Sequence, residues 1–404
     1  MATGADQVNW RGAPRCRSRL YLLWVAAGTI VLAGFVWNPA ASVLGASEQI
    51  PIPARQWIAL AMPDVGKGPS GGIKHINATV NPTNGRIYVT GGDYAGAQFE
   101  QSYRQETWSL SLLERWAGGT AGNTGWRLEY PYCGPSDGVQ PKHPDFMGWM
   151  WDAKRSVFWL VPGGMEISND NCPGETSSRS DDPRFLLNHL MTFDPATRRW
   201  SDMGRNVGPD LPETWMSVYD PARDEIIRFG LNGGIGAVVN ILKVGTMTWQ
   251  RIGLPLNAIG KDVRLNKEYL AVDHAHRVIY AIDGVWGRLH RYSMDARRLE
   301  DLGPVPAGPI GREGFTLIVW DTVNEVLLSV QEYPTKFHAY HPDSKRWEEL
   351  AIASNVANVE IRARAMVYDP GQNVTMLFGG LEPPNPHLFL YRFGDGSESK
   401  REKK

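Results

Sequence analysis

Hydrophobic positions along this chain alternate in short runs instead of recurring at helical spacing, and the runs come in pairs separated by a polar reversal. Trp149-Met150-Trp151, Val218-Tyr219, Leu317-Ile318-Val319-Trp320 and Met366-Val367-Tyr368 lead into reversals. Ile87-Tyr88-Val89, Val157-Phe158-Trp159-Leu160-Val161, Ile226-Ile227-Arg228-Phe229 and Val278-Ile279-Tyr280-Ala281 lead out of them. Branched and aromatic side chains pack well on a pleated surface, whereas Asp, Asn, Pro and Gly supply the turns. The reversals begin at Asn81, Asp152, Asp220, Asp273, Asp321 and Asp369, with spacings of 71, 68, 53, 48 and 48 residues. A repeat of about 50 residues holding four short strands predicts a blade of a β-propeller, and six repeats predict six blades.

Further marks recur in the same phase. Several second strands end in paired glycines, at Gly91-Gly92, Gly163-Gly164 and Gly379-Gly380, with looser versions at Gly233-Gly234 and Asp283-Gly284. A third strand then carries an aromatic, as in Met191-Thr192-Phe193-Asp194-Pro195, and a fourth opens on Trp126, Trp200, Trp249 or Trp347, with Leu299 in that place in the fourth repeat. This order of strand, Asp-type turn, strand, double glycine, aromatic and Trp resembles the kelch repeat across residues 54–394. The resemblance implies a six-bladed all-β propeller. The last repeat lacks a fourth strand, and a Trp strand stands alone ahead of the first, at Gln56 to Pro63. Residues 54–63 are therefore expected to complete blade six and close the ring, which removes an open sheet edge.

Outside the repeats, residues 20–37 are free of charge and almost as long as a bilayer-spanning helix requires. Arg11, Arg15, Arg17 and Arg19 precede the run, and charge resumes only at Glu48. The positive-inside rule leaves the basic segment 1–19 in the cytoplasm and sends the propeller across the membrane. A cleaved signal peptide competes with this anchor, since Val43 and Gly45 are acceptable to a signal peptidase. Under the anchor reading the protein is a single-pass protein of the inner (cytoplasmic) membrane that contacts the bilayer through 20–37. Residues 38–53 would be a linker, the propeller would lie in the periplasm, and 395–404 would be a charged, disordered tail.

With 42 basic and 43 acidic residues the formal charge is −1, and no basic stripe calls for a nucleic acid. Of three cysteines, Cys16 lies before the apolar run. Cys133 and Cys172 fall in connections expected on one face of adjacent blades, where a disulfide is feasible in an oxidising compartment. His274 and His276 occupy a reversal turn, and His338 and His341 flank a strand aromatic; neither pair has zinc-ligand spacing. The copper site of kelch-containing oxidases needs paired histidines that Cys133, with Tyr130 and Tyr132 nearby, does not have. No nucleophile elbow or phosphate loop occurs either. No catalytic residue, metal or cofactor is expected.

Two sets of residues are candidates for binding. Lys74, His75, Asp145, Glu213, Lys267, Glu268, Arg312, Glu313, Arg362 and Arg364 stand just before the innermost strands and would ring the channel mouth. Such a ring either binds a charged or hydroxylated ligand or neutralises itself as hydrated ion pairs. The insertions of blades one and two, 92–125 and 163–187, carry Tyr94, Phe99, Tyr103, Trp116 and Asp170, and long loops on a rigid scaffold are where binding specificity resides. The expectation is a non-catalytic extracytoplasmic interaction module with a membrane-protein partner, such as an accessory subunit of a membrane complex. The alternative is a periplasmic carbohydrate-binding protein, or an enzyme of the mutarotase or epimerase type, which the kelch resemblance keeps open.

Overall fold

Each reversal is built the same way, and that repetition generates the ring. The computed structural model describes residues 49–61, 72–74, 76–91, 93–95, 106–117, 124–131, 134–135, 138–141, 148–161, 185–186, 189–205, 217–231, 237–255, 259–261, 263, 270–309, 316–331, 335–352, 365–379 and 387–395. At the first reversal of every blade, a buried Asn or Asp at the end of the innermost strand folds back onto the turn. Asn81 Oδ1 accepts the Thr83 amide at 2.9 Å, and Asp152 Oδ1 accepts those of Lys154 and Arg155 at 2.9 and 3.1 Å. Asp220, Asp273, Asp321 and Asp369 repeat the arrangement. The last turn residue takes positive φ each time: 65° at Gly85, 56° at Ser156, Asp224 and Arg277, 54° at Glu325 and 51° at Asn373. A side chain that caps its own turn makes this left-handed step tolerable even where the residue is not glycine.

Six four-stranded antiparallel sheets result. Blade one comprises Asn77–Asn81, Arg86–Thr90, Thr107–Leu110 and Trp126–Tyr130, and blade two Gly148–Asp152, Val157–Val161, His189–Asp194 and Arg199–Arg205. Blade three comprises Ser217–Asp220, Glu225–Leu231, Ala237–Lys243 and Thr248–Gly253, and blade four Leu270–Asp273, Val278–Asp283, Arg288–Ser293 and Arg298–Pro304. Blade five comprises Thr316–Asp321, Val326–Gln331, Lys336–His341 and Arg346–Leu350. Blade six takes Ala365–Asp369, Val374–Gly379 and His387–Tyr391 from the end of the chain and Trp57–Ala61 from its beginning. The closing pair runs in register from Trp57 opposite Tyr391 to Ala61 opposite His387. The six-bladed all-β propeller stands as the repeats predict, and within the expected closing segment 54–63 the strand Trp57–Ala61 completes blade six, residues 62 and 63 lying outside the described residues.

Every junction between blades has its own apolar cluster, so the core is a ring of seams. The strand-opening tryptophans serve those seams. Trp57 packs against Phe337 and Tyr391 with centroids 5.0 and 4.9 Å away, and Trp200 lies against Trp149 and Phe193 at 5.6 and 5.2 Å. Gly148 is a packing requirement as well, because a Cβ there would stand 2.5 Å from the Ser217 side chain.

The ring takes in more of the N-terminal segment than the expected linker boundary at residue 53 allows. Ile50 and Ile52 are buried in the seam between blades six and one. Arg392 donates to the carbonyls of Ile52 at 2.9 Å and of Ile50 at 2.8 Å, and to that of Gln372 at 2.9 Å. The Ile50 amide donates to Gln372 Oε1 at 3.1 Å. Both chain ends are therefore knotted onto the first reversal of blade six. The apolar run 20–37 and the tail from 396 lie outside the described residues. Among the described residues no helix is long and apolar enough to cross a membrane.

Candidate functional site

Alternating strand direction gives the ring two unlike faces. One carries the first and second reversals of each blade and is called the turn face below. The other carries the connections from blade to blade and from second to third strand, and is called the loop face.

The innermost strands enclose a central cavity of about 340 Å³. Val80, Met150, Val218, Val272, Val319 and Val367 each come to its wall from a different blade. These strands pair with a neighbour on one side only, so their other edges turn unpaired amides and carbonyls towards the axis. Pro82, His274, Thr322 and Pro370 narrow the cavity at the turn face. No Lys, Arg, Asp or Glu side chain is among the described lining residues. The His274 ring is reachable by solvent yet hemmed in by the turns. That burial pushes its pKa below the usual histidine value, outweighing Asp220 and Asp273, which pull the other way. Ser217 also lines the cavity, and its buried Oγ has no hydrogen-bond partner among the described residues. The cavity suits water or a small neutral ligand that needs backbone hydrogen bonds; it contains no acid–base pair.

Polar side chains are also buried within the blades, away from the cavity, as the strands approach the loop face. Thr90 and Thr107 share a hydroxyl contact of 3.1 Å, and Arg228 is fully buried, which lowers its pKa to about 10. In blade five, Thr316 Oγ1 and both polar atoms of the Gln331 side chain are buried without a hydrogen-bond partner among the described residues. Blade four contributes His290, whose pKa burial lowers to about 4, leaving it neutral at physiological pH.

The expected channel-mouth ring would stand at this end. The innermost strands begin at Asn77, Gly148, Ser217, Leu270, Thr316 and Ala365. His75, Asp145, Glu213, Lys267, Glu268, Arg312, Glu313, Arg362 and Arg364 precede those starts within a few residues and lie outside the described residues. Lys74 alone has a described backbone, and it is not the start of the innermost strand. It ends Gly72–Lys74, which pairs with Asp93–Ala95, Lys74 opposite Asp93 and Ile73 opposite Tyr94. This pairing continues the register of the Asn77–Asn81 and Arg86–Thr90 hairpin, so the inner hairpin of blade one is prolonged as a two-stranded arm beyond the loop face.

Blade two is extended differently. Gln140–Pro141, in the connection from blade one, pairs in parallel with Phe185–Leu186, which closes the blade-two insertion. The two connections that hold Cys133 and Cys172 are thereby stitched together, although both cysteines, like Phe99, Tyr103 and Asp170, lie outside the described residues. Tyr94 sits on the blade-one arm. Trp116 differs from expectation. It belongs to a short helix, Leu112–Ala117, that replaces the second reversal of blade one, and it packs against the blade-six seam with Trp126, Ile58 and Leu60. Arg115 of that helix donates to the Ala61 carbonyl at 2.9 Å. Trp116 closes the ring and is not part of a loop-face surface.

The histidine pairs fall where their strand positions put them. His276 is exposed and lies 2.6 Å from Asp273, His338 is buried, and His341 is half-buried beside Glu348 at 3.1 Å. Among the described residues no group of three or more His, Cys, Asp or Glu could hold a metal ion. The sequence reading did not connect His274 with the channel. The signal available was its place directly after the turn-capping Asp273, a position that Pro82, Thr322 and Pro370 occupy in other blades.

No protein-family model matches the chain, and no curated protein matches it. Among solved structures, the chain is similar to the extracellular domain of a putative one-component system from B. thetaiotaomicron, at 11% identity and a TM-score of 0.45. The match covers 84% of this chain and 40% of that one, so the chain spans less than half the length of the protein it resembles.

Proposed function

We propose that this protein is an extracytoplasmic interaction module, tethered to the membrane through residues 20–37, that recognises a partner with the loop face of blades one and two. One observation carries the reading: the described secondary structure beyond the six sheets, apart from the seam helix, is concentrated there, as the blade-one arm and the parallel stitch beside blade two. A rigid ring that raises a wall on one side of one face is organised to contact something larger than a channel ligand. The tether, the kelch assignment of the repeats and the Cys133–Cys172 pairing rest on sequence and belong to the proposal. The described chain enters the ring at the turn face, where Arg392 fixes Ile50 and Ile52.

The test uses full-length protein solubilised from membranes in detergent. A stoichiometric companion should co-purify with it. Deleting residues 97–104 should release that companion while the ring keeps its cooperative unfolding. Retention of the same companion by the deletion variant would refute the loop-face assignment.

A second reading is favoured by Ser217 Oγ and the unpaired strand edges of the central cavity: a small hydroxylated ligand bound on the axis, with the charged ring at the mouth selecting it. Here Arg364→Ala or Glu313→Ala would abolish ligand binding, whereas the 97–104 deletion would leave it unchanged.

A further inference from the structure

Each blade ends on an outer strand whose far edge pairs with no other strand among the described residues, and the six edges are not alike. In blades one to five the outer strands, Trp126–Tyr130, Arg199–Arg205, Thr248–Gly253, Arg298–Pro304 and Arg346–Leu350, each carry at least one arginine, and four of them carry Asp or Glu as well. Charge on an outer strand guards its open main-chain groups against pairing with another chain. Blade six lacks that guard. Ring closure makes Trp57–Ala61 its outer strand, and the sequence Trp-Ile-Ala-Leu-Ala has no charged residue.

Packing within the ring explains three of its five side chains. Ile58 and Leu60 lie against the blade-one seam and Trp57 against the blade-five seam. Ala59 and Ala61 are exposed. Apart from its pairing with His387–Tyr391, the only described hydrogen bond to the main chain of this strand is that of Arg115 to its last carbonyl, Ala61, at 2.9 Å. The order of side chains fits the strand to a reversed copy of itself. Turned end for end about Ala59, it sets Ala59 against Ala59 of the second copy, Ile58 against Leu60, and Trp57 against Ala61. The bulky indole thus meets a small residue on one face, and two aliphatic chains meet on the other. A two-fold axis sets the central side chain against its own kind, where a charge would repel its like. Two rings that touch at one outer strand each diverge on both sides of the contact, so neighbouring blades do not collide.

We propose that two copies of this chain pair antiparallel through Trp57–Ala61, joining their blade-six sheets across a two-fold axis at Ala59. Main-chain hydrogen bonds between the two edges hold the pair, and the alternation of large and small side chains sets its register. The contact is closed: each copy uses the same edge, and none is left for a third. The strand that fastens the ring is therefore also the strand that joins two rings. This inference rests on the closure of blade six and is independent of the loop-face reading.

Two differently tagged forms of the full-length protein, co-expressed and solubilised in detergent, test it. Wild-type protein purified on one tag should carry the other, and it should sediment as a dimer with no larger species. Ala59→Lys and Ala59→Glu should each weaken self-association about tenfold or more, because like charges then face each other across the axis. Both should keep the wild-type urea midpoint, since Ala59 is exposed. Mixing the lysine form with the glutamate form should restore association, as opposite charges then meet. Deleting residues 97–104 should leave self-association unchanged, which separates this test from that of the loop face. A monomeric wild type, a dimer that persists in both charged variants, or a mixture that fails to recover would each overturn the proposal. So would release by Ala59→Lys of a different protein bound one to one, which would make the occupant of this edge a foreign strand.

Discussion

The two faces of this propeller divide the work between them. On the turn face, each first reversal spans four residues and is closed by a buried side chain of its own strand. Several of these turns are then tied to the next blade. Arg155 holds Asp224 at 2.6 and 2.7 Å, and Arg277 holds Asp220 at 2.8 Å through both its terminal nitrogens. Between blades five and six, Asn324 and Asn373 meet over the Gly394 carbonyl, to which Asn373 donates at 2.8 Å. On the loop face the connections differ in length from blade to blade, and buried hydroxyl and amide groups beneath them have no partner among the described residues. A ring locked along one rim can carry variable segments on the other without loss of architecture, which is how scaffolds separate stability from recognition.

If that division is right, the most damaging change should strike the knot where the chain ends meet. Arg392→Ala strands four carbonyls that the guanidinium now serves, those of Ile50, Ile52, Gln372 and Asn373, and frees the segment that brings Trp57–Ala61 into blade six. Losing several charge-assisted hydrogen bonds at one partly buried site should cost about 3 kcal/mol. Removing residues 49–61 altogether leaves Phe389 and Tyr391 on an open edge and should end cooperative unfolding. Urea denaturation followed by tryptophan fluorescence reads both. A truncated protein that unfolds cooperatively at the wild-type midpoint would mean that the ring does not depend on its clasp.

Next in size is a contrast within the turn face itself. Asp220 and Asp369 cap equivalent turns but have opposite electrostatic surroundings. Burial opposes ionisation of Asp220, yet the Arg277 guanidinium and the turn amides outweigh it and lower its pKa. Asp369 has backbone amides only, and burial raises its pKa from 3.8 to about 6. Asp220→Asn keeps an oxygen for the Ala222 amide but leaves Arg277 without its buried partner, so it should cost roughly 3 kcal/mol at pH 7. Stability from Asp220 is present above its unfolded pKa and is lost as pH falls below it.

For Asp369 the sign reverses. The folded protein holds this proton more tightly than the unfolded chain does, so ionisation disfavours folding from about pH 4 upwards and fully so above about pH 6. Two pKa units correspond to about 3 kcal/mol as an upper bound. Asp369→Asn should remove that penalty, because Asn81 already performs the same turn closure in blade one with Oδ1 on the Thr83 amide. The variant should match or exceed the wild type at pH 7 and lose its advantage at pH 4. A variant less stable than wild type at pH 7 would show that the charge on Asp369 supports the turn.

The turn face was also the legible part of the sequence. Asp-Pro and Asn-Pro turns, paired β-branched runs and strand-opening tryptophans are local signals, and six copies fixed blade number, strand order and the closing strand. One feature escaped for a physical reason. The helix at Leu112–Ala117 is only six residues long and holds its place through Trp116 and Arg115 contacts with blade six, which lie far away in sequence. Of the candidate ring only the Lys74 backbone is described, on the blade-one arm; the other members precede the innermost strands in sequence and lie outside the described residues, in connections of unequal length that carry no repeat to compare.

The smallest effect should come from the loop face, and that is what makes it informative. Residues 97–104 join the outer end of the blade-one arm to the strand that begins at Thr107, and no inter-blade contact described above uses them. Shortening a surface connection changes its closure entropy only slowly, by a few tenths of a kcal/mol for a change of this size. The deletion should therefore shift the urea midpoint by less than any turn-face substitution, and Tyr88 and Trp149 on either side of the blade-one to blade-two seam should keep native fluorescence. Suppose instead that the deletion destabilised the ring as strongly as Arg392→Ala. The arm would then be part of the clasp, since Gly72–Lys74 approaches the second strand of blade six, and both faces would share in holding the ring together.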